Sequence, residues 1–161
     1  MKRKTLVTLG FLLILVIAWL GYTGIKKLDK NRRIQNIQDD LSKILNQLGQ
    51  TKIDTTIFTI LIFFNSQCEY CELEVHKIHE NIDLFDKDQL LFCSFEPENE
   101  AITFLEKYSL SQFYIISNPE KVMSTFTGGV PQTLIYRNGK LTRHFRGGVQ
   151  IDAILEALRK E

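Results

Sequence analysis

Residues 57–64 read Ile-Phe-Thr-Ile-Leu-Ile-Phe-Phe, apolar at every position but Thr59. A short apolar run rich in Ile and Phe predicts a strand buried on both faces. The polar break Asn65-Ser66-Gln67 follows, and from Cys68 the period changes. Cys71, Val75, Ile78, Ile82 and Phe85 recur every three or four residues, which predicts a helix. Residues 89–95 predict a second buried strand. Asn99 is a fitting cap for a helix carrying Ala101, Ile102, Phe104, Leu105 and Tyr108. Residues 113–117 predict a further short strand. Asn118-Pro119-Glu120 then has the order of cap, first-turn proline and first-turn acid for a short helix towards Phe126. Residues 132–136 and 141–145 flank Arg137-Asn138-Gly139-Lys140, where Asn-Gly signals a hairpin. Ile151, Ile154, Leu155 and Leu158 mark a last amphipathic helix. The order βαβαβ(α)ββα implies an α/β fold, with a mixed central sheet and helices on both faces.

The N-terminal third reads differently. Residues 5–25 carry no charged side chain and follow Met-Lys-Arg-Lys. At the helical rise they span about 30 Å, one hydrocarbon core. A single-pass signal anchor is the expectation, with 1–25 as the transmembrane segment. A cleaved signal peptide, cut after Val16-Ile17-Ala18, is the competing reading. Beyond it, Ile34, Ile37, Leu41, Ile44 and Leu48 form a seam that Gly49 stops. This makes residues 26–50 an amphipathic helical linker and leaves 51–161 as the domain proper. The seam is expected to lie against its own domain. A homodimer through residues 34–48 is the alternative, though two heptads make a short coiled coil.

Composition narrows the function. The chain has 161 residues, enough for one domain plus an anchor, and a formal net charge of +1. That balance gives no reason to expect a nucleic-acid partner. Of the three cysteines, Cys68 and Cys71 stand three apart where a buried strand meets a helix start. Unpaired N–H groups and the helix dipole stabilise a thiolate there, and the spacing permits a disulfide. Cys68 is the expected attacking thiolate and Cys71 the resolving thiol. A structural disulfide or part of a zinc site competes, but zinc usually needs a second pair. Cys93 reads as an inert core residue. His79 is about 16 Å along the helix from Cys68. His76 and His79 are therefore read as helix surface.

The Cys68-Glu69-Tyr70-Cys71 motif after the first strand, joined to Gly129-Val130-Pro131-Gln132-Thr133 before the hairpin, resembles the thioredoxin superfamily. More narrowly, it is similar to the membrane-anchored TlpA-like thiol-disulfide oxidoreductases of bacteria. The resemblance spans roughly residues 50–161. It implies a thioredoxin-like fold and a redox-active Cys68–Cys71 disulfide that needs no cofactor. Pro131 is implied to be cis beside the dithiol. Tyr70, in a variable position of the motif, would tune the dithiol or touch substrate. Val130 and Pro131 would touch substrate, with Val130 offering its backbone to an extended peptide. Protein thiols and disulfides become the substrates and a membrane component the electron donor. The domain would lie on the extracytoplasmic, periplasmic side of the cytoplasmic membrane.

Departures from the pattern sharpen the site. Gln67 stands where the family has tryptophan, and Ile62 where cytosolic thioredoxins have a buried aspartate. The TlpA-like subgroup often carries a glutamate three residues after the second cysteine, here Glu74. Glu69, inside the motif, is also seen in that subgroup. Glu74 is expected to handle the Cys71 proton from an exposed position in the first helical turn. A second function class stays open: a thioredoxin-like protein that delivers copper or holds a partner, with the cysteines as ligands.

Overall fold

The structure is a computed structural model that describes residues 2–50, 58–85, 90–115 and 119–159, without the side chains of 2–9 and 11. The ends of several predicted segments, among them Ile57, Gln89 and Asn118, lie outside the described residues.

A four-stranded mixed sheet in the order β2-β1-β3-β4 organises the chain. Strand β1 (Thr59–Phe64) lies inside it, parallel to β2 (Leu90–Ser94) and antiparallel to β3 (Gln132–Arg137). All six β1 residues are buried. The reason is a core on each face. Ile60, Ile62 and Phe64 enter one, with Cys71, Val75 and Ile78 of α3 (Glu69–Glu80), Phe104 of α4 (Glu98–Glu106) and Ile154 of α6 (Ile151–Arg159). Leu61 and Phe63 enter the other, with Ile44 and Leu48 of α2 (Leu41–Leu48) and Val122 of α5 (Pro119–Met123). The Ile-Phe run has no polar face because no face meets water.

Strand β4 (Lys140–Arg146) closes the sheet through a hairpin in which Asn138 and Gly139 have φ of 50° and 74°. Positive φ at both turn residues is what Asn-Gly supplies at least cost.

Helix α1 (Lys2–Gln38) precedes α2, and the predicted seam runs across the break between them. Asp40 caps α2 by accepting from the Ser42 N–H, and Gly49 ends it at φ +82°. Ile34, Leu41, Ile44 and Leu48 are buried and Ile37 half-buried, and the α2 residues pack on the sheet's second face. The surface a coiled-coil homodimer would use is therefore occupied by the chain itself. The hairpin pins this junction: the Leu41 N–H donates to Gly139 O at 2.8 Å, and Lys140 Nζ meets Asp40 Oδ2 at 2.7 Å. Further up α1, Leu12, Leu13, Ile14, Trp19 and Leu20 are all exposed. Among the described residues no helix is long and apolar enough to cross a membrane.

Two local expectations need correction. Residues 113–117 do not form a strand among those described. Ser111–Phe113 is a 3-10 turn, and only Tyr114 then bridges Phe92, with the Ile115 N–H donating to Phe92 O at 2.7 Å. One rung along β2 is too little for a ladder. Asn99 is not the α4 cap either. Pro97 holds that place, its carbonyl accepting from the N–H groups of Glu100 and Ala101, and Asn99 lies inside the first turn.

Candidate active site

Because β1 and β2 are parallel and β3 runs against them, one end of the sheet gathers three chain segments. Phe64 pairs with Ser94 and Phe63 with Gln132 at that end. The residues after β1, after β2 and before β3 are thus brought together from distant parts of the sequence.

Cys68 caps α3, with extended backbone at φ −95° and ψ 113°. Its Sγ accepts from the Cys71 N–H at 3.4 Å, and its thiol donates to the Val130 carbonyl at 3.5 Å. Both cysteines are free thiols, Cys68 half-buried and Cys71 fully buried. Burial pushes the Cys71 thiol well above its ordinary range, and the hydrogen bond with Cys68 and the charge of Glu74 push the same way. The more accessible sulfur is thus the one at the helix terminus, and the sulfur behind it needs help to lose its proton.

That help is placed differently from expectation. Glu74 is not an exposed first-turn residue but is 2 % exposed, on the inner face of α3. The Thr133 hydroxyl donates to its Oε1, and the Val149 N–H donates to Oε2 at 3.3 Å. Desolvation raises its carboxyl above the ordinary value, and the two donors offset this in part. Thr133 is the β3 partner of Ile62, so Glu74 is held by the residue directly across from the β1 position that lacks a buried aspartate.

The remaining predicted residues frame the dithiol. Tyr70 is 66 % exposed and lies against Gly148, where a Cβ would meet the Tyr70 Cβ at 3.8 Å. The Val130–Pro131 peptide bond is cis, and Pro131 O accepts from the Gly147 N–H at 2.9 Å. Among the described residues the Val130 N–H has no acceptor.

Two supporting side chains went unread in the sequence. Glu96 is buried after β2 and accepts from the Ser66 N–H at 2.8 Å, the Ser66 hydroxyl at 2.6 Å and the Ser94 hydroxyl at 2.9 Å. It fixes the turn that delivers Cys68. Gln132 is buried and donates through Nε2 to the carbonyls of Thr127 and Gly129, both at 2.8 Å, while its Oε1 meets His144 Nε2 at 2.9 Å. It fixes the loop that carries Val130. The only signal for either was a polar residue beside a buried strand, which alternation cannot detect when both faces are covered.

Cys93 sits in the core on the opposite sheet face from Cys71, and burial raises its thiol to about 12. His76 faces Glu80 at 3.6 Å, and its ring and that of His79 lie 5.8 and 6.3 Å from the Tyr108 ring. Among the described residues no group of three or more His, Cys, Asp or Glu side chains could hold a metal.

No protein-family model matches the chain, and no curated protein sequence does. Solved structures do. The thioredoxin domain of a thiol-disulfide oxidoreductase from Bacteroides vulgatus superimposes with a TM-score of 0.53 at 12% identity, covering 65% of this chain and 78% of that one. StoA from Bacillus subtilis gives 0.53 at 15% identity, covering 66% and 85%. A secreted Mycobacterium tuberculosis disulfide oxidoreductase, homologous to Escherichia coli DsbE, gives 0.53 at 12% identity, covering 66% and 82%. The shared feature is the thioredoxin-like fold.

Proposed function

We propose that the protein is a membrane-anchored, extracytoplasmic thiol-disulfide oxidoreductase acting on the disulfides of other proteins. The observation that carries the reading is Cys68 Sγ at the α3 N-terminus, half-exposed beside Val130, with buried Cys71 and Glu74 behind it. In the reductive direction the Cys68 thiolate attacks one sulfur of a substrate disulfide. That S–S bond breaks, a mixed disulfide forms, and one substrate thiolate leaves. Cys71 then gives its proton to the Glu74 carboxylate and attacks Cys68 Sγ. The second substrate thiol leaves, and the protein holds a Cys68–Cys71 disulfide, having passed on two electrons. Oxidation of a substrate runs through the same steps backwards.

Tyr70, Val130 and Pro131 form the rim against which substrate lies, and the open Val130 N–H suits an extended peptide. Residues 1–25 serve as the anchor, supported by their uncharged stretch and by the apolar side chains α1 exposes. Residues 26–50 join it to the thioredoxin-like domain, 51–161. A membrane electron donor on the periplasmic side of a bacterial cytoplasmic membrane regenerates the dithiol. Reduction of insulin by the full chain with dithiothreitol tests the chemistry. It should be accelerated by the wild type and not by Cys68→Ser. Tight copper binding without insulin reduction would replace this reading with metal delivery.

A further inference from the structure

Beside Val130, on the side away from α3, lies a cleft of about 420 Å³ that the exchange chemistry does not use. Phe95, Met123, Phe126 and Val130 line it, and Lys27 and Lys30 of α1 stand along it. Its floor is rigid. The Phe126 ring packs 4.7 Å from Phe63 and 6.2 Å from Phe95, and Gln132 ties the adjoining backbone from both Thr127 O and Gly129 O. Its cationic side is open. Lys27 and Lys30 are exposed, and among the described residues neither makes an ion pair and no acidic side chain lines the cleft.

We infer that this cleft is a specificity site for the substrate protein, taking a segment that carries a large apolar side chain and carboxylates close to its reactive cysteine. The link is Val130, which is both a wall of the cleft and the acceptor for the Cys68 thiol. A chain extended along that loop places its cysteine at Cys68 and its neighbours over Met123 and Phe126. The apolar floor removes a large side chain from water. Two exposed lysines favour carboxylates and oppose a basic segment. The assignment of the occupant as substrate rests on the exchange reading; the preference for acidic, apolar chemistry rests on the cleft.

The test is binding of fluorescent peptides to the full chain in uncharged detergent. One peptide carries a Phe and two Glu beside a Ser in place of its cysteine, and its counterpart carries two Lys. The acidic peptide should bind at least tenfold more tightly. Lys27→Glu with Lys30→Glu should abolish or invert that ratio, and Met123→Ala should weaken both peptides. Equal affinities, a preference that survives charge reversal, or closure of the cleft by a second copy in sedimentation would overturn the inference. The same peptides with cysteine, presented as disulfides, separate the two claims. Reduction without discrimination sinks the cleft; discrimination in binding without reduction sinks the exchange reading and the occupant's role as substrate.

Discussion

Glu74 and Cys71 both lie on the buried side of α3, where burial works against either one ionising and the charge of Glu74 raises the Cys71 thiol further. Glu74→Gln keeps the shape and removes the base. Exchange should slow by roughly ten- to a hundredfold, and the rate should lose an ionisation above the ordinary carboxylate range. A wild-type rate from pH 6 to 9 would reduce Glu74 to a structural group. Stability carries a separate signature. A carboxyl whose folded pKa is raised contributes most below its unfolded value and loses that contribution as pH rises through the folded value. Urea titrations should therefore show the wild type losing ground to Glu74→Gln on going from pH 4 to 8; a constant difference would contradict the burial. Glu74→Ala leaves the buried Thr133 hydroxyl and the part-buried Val149 N–H unmatched and should cost about 1–3 kcal/mol. Iodoacetamide should modify half-exposed Cys68 before buried Cys71 or Cys93, and the reverse order would exchange the proposed roles. The candidate residue Glu74 was legible from its spacing. Its burial was not, because Thr133 and Val149, which make burial affordable, lie 59 and 75 residues further along the chain. Glu96 was invisible for the same reason: Ser66 is 30 residues away and nothing local marks the pair.

The junction of α1 and α2 shows how an element acquires its place. Asp40 caps α2 and pairs with Lys140, which holds its carboxyl below the ordinary value. Asp40→Ala should cost about 1 kcal/mol at neutral pH, the usual worth of an N-cap. The difference should fade as pH falls through the lowered Asp40 carboxyl, since a depressed group gives up its contribution there. Asp40→Asn keeps the cap and should retain most of the stability; a loss as large as that of Ala would assign the effect to the ion pair instead. The hairpin was readable because Asn138 and Gly139 carry their own backbone preference. The seam was readable as apolar but not as two helices. Residues 113–117 misled because a short apolar stretch suits a strand, a 3-10 turn or a bridge, and the neighbour decides.

At the scale of the molecule, strand order explains why the candidate site gathers at one end of the sheet. Element order alone implied a mixed sheet; it did not reveal that β1 lies between β2 and β3, which is what joins Cys68, Glu96 and Val130. It also leaves Cys93 on the wrong face to exchange with Cys71. If residues 1–25 anchor the chain, the protein should stay with membranes after a salt wash. A reporter active only outside the cytoplasm, fused after Glu161, should then be active; activity of a cytoplasmic reporter would reverse the topology. The central claim concerns the dithiol itself. Full-length protein should be equilibrated across glutathione buffers, quenched in acid, and its thiols counted by alkylation and peptide mass. The account predicts one reversible two-electron transition that links Cys68 to Cys71 and leaves Cys93 a thiol throughout. Cys68 and Cys71 remaining unlinked at every potential, or a disulfide that includes Cys93, would contradict it.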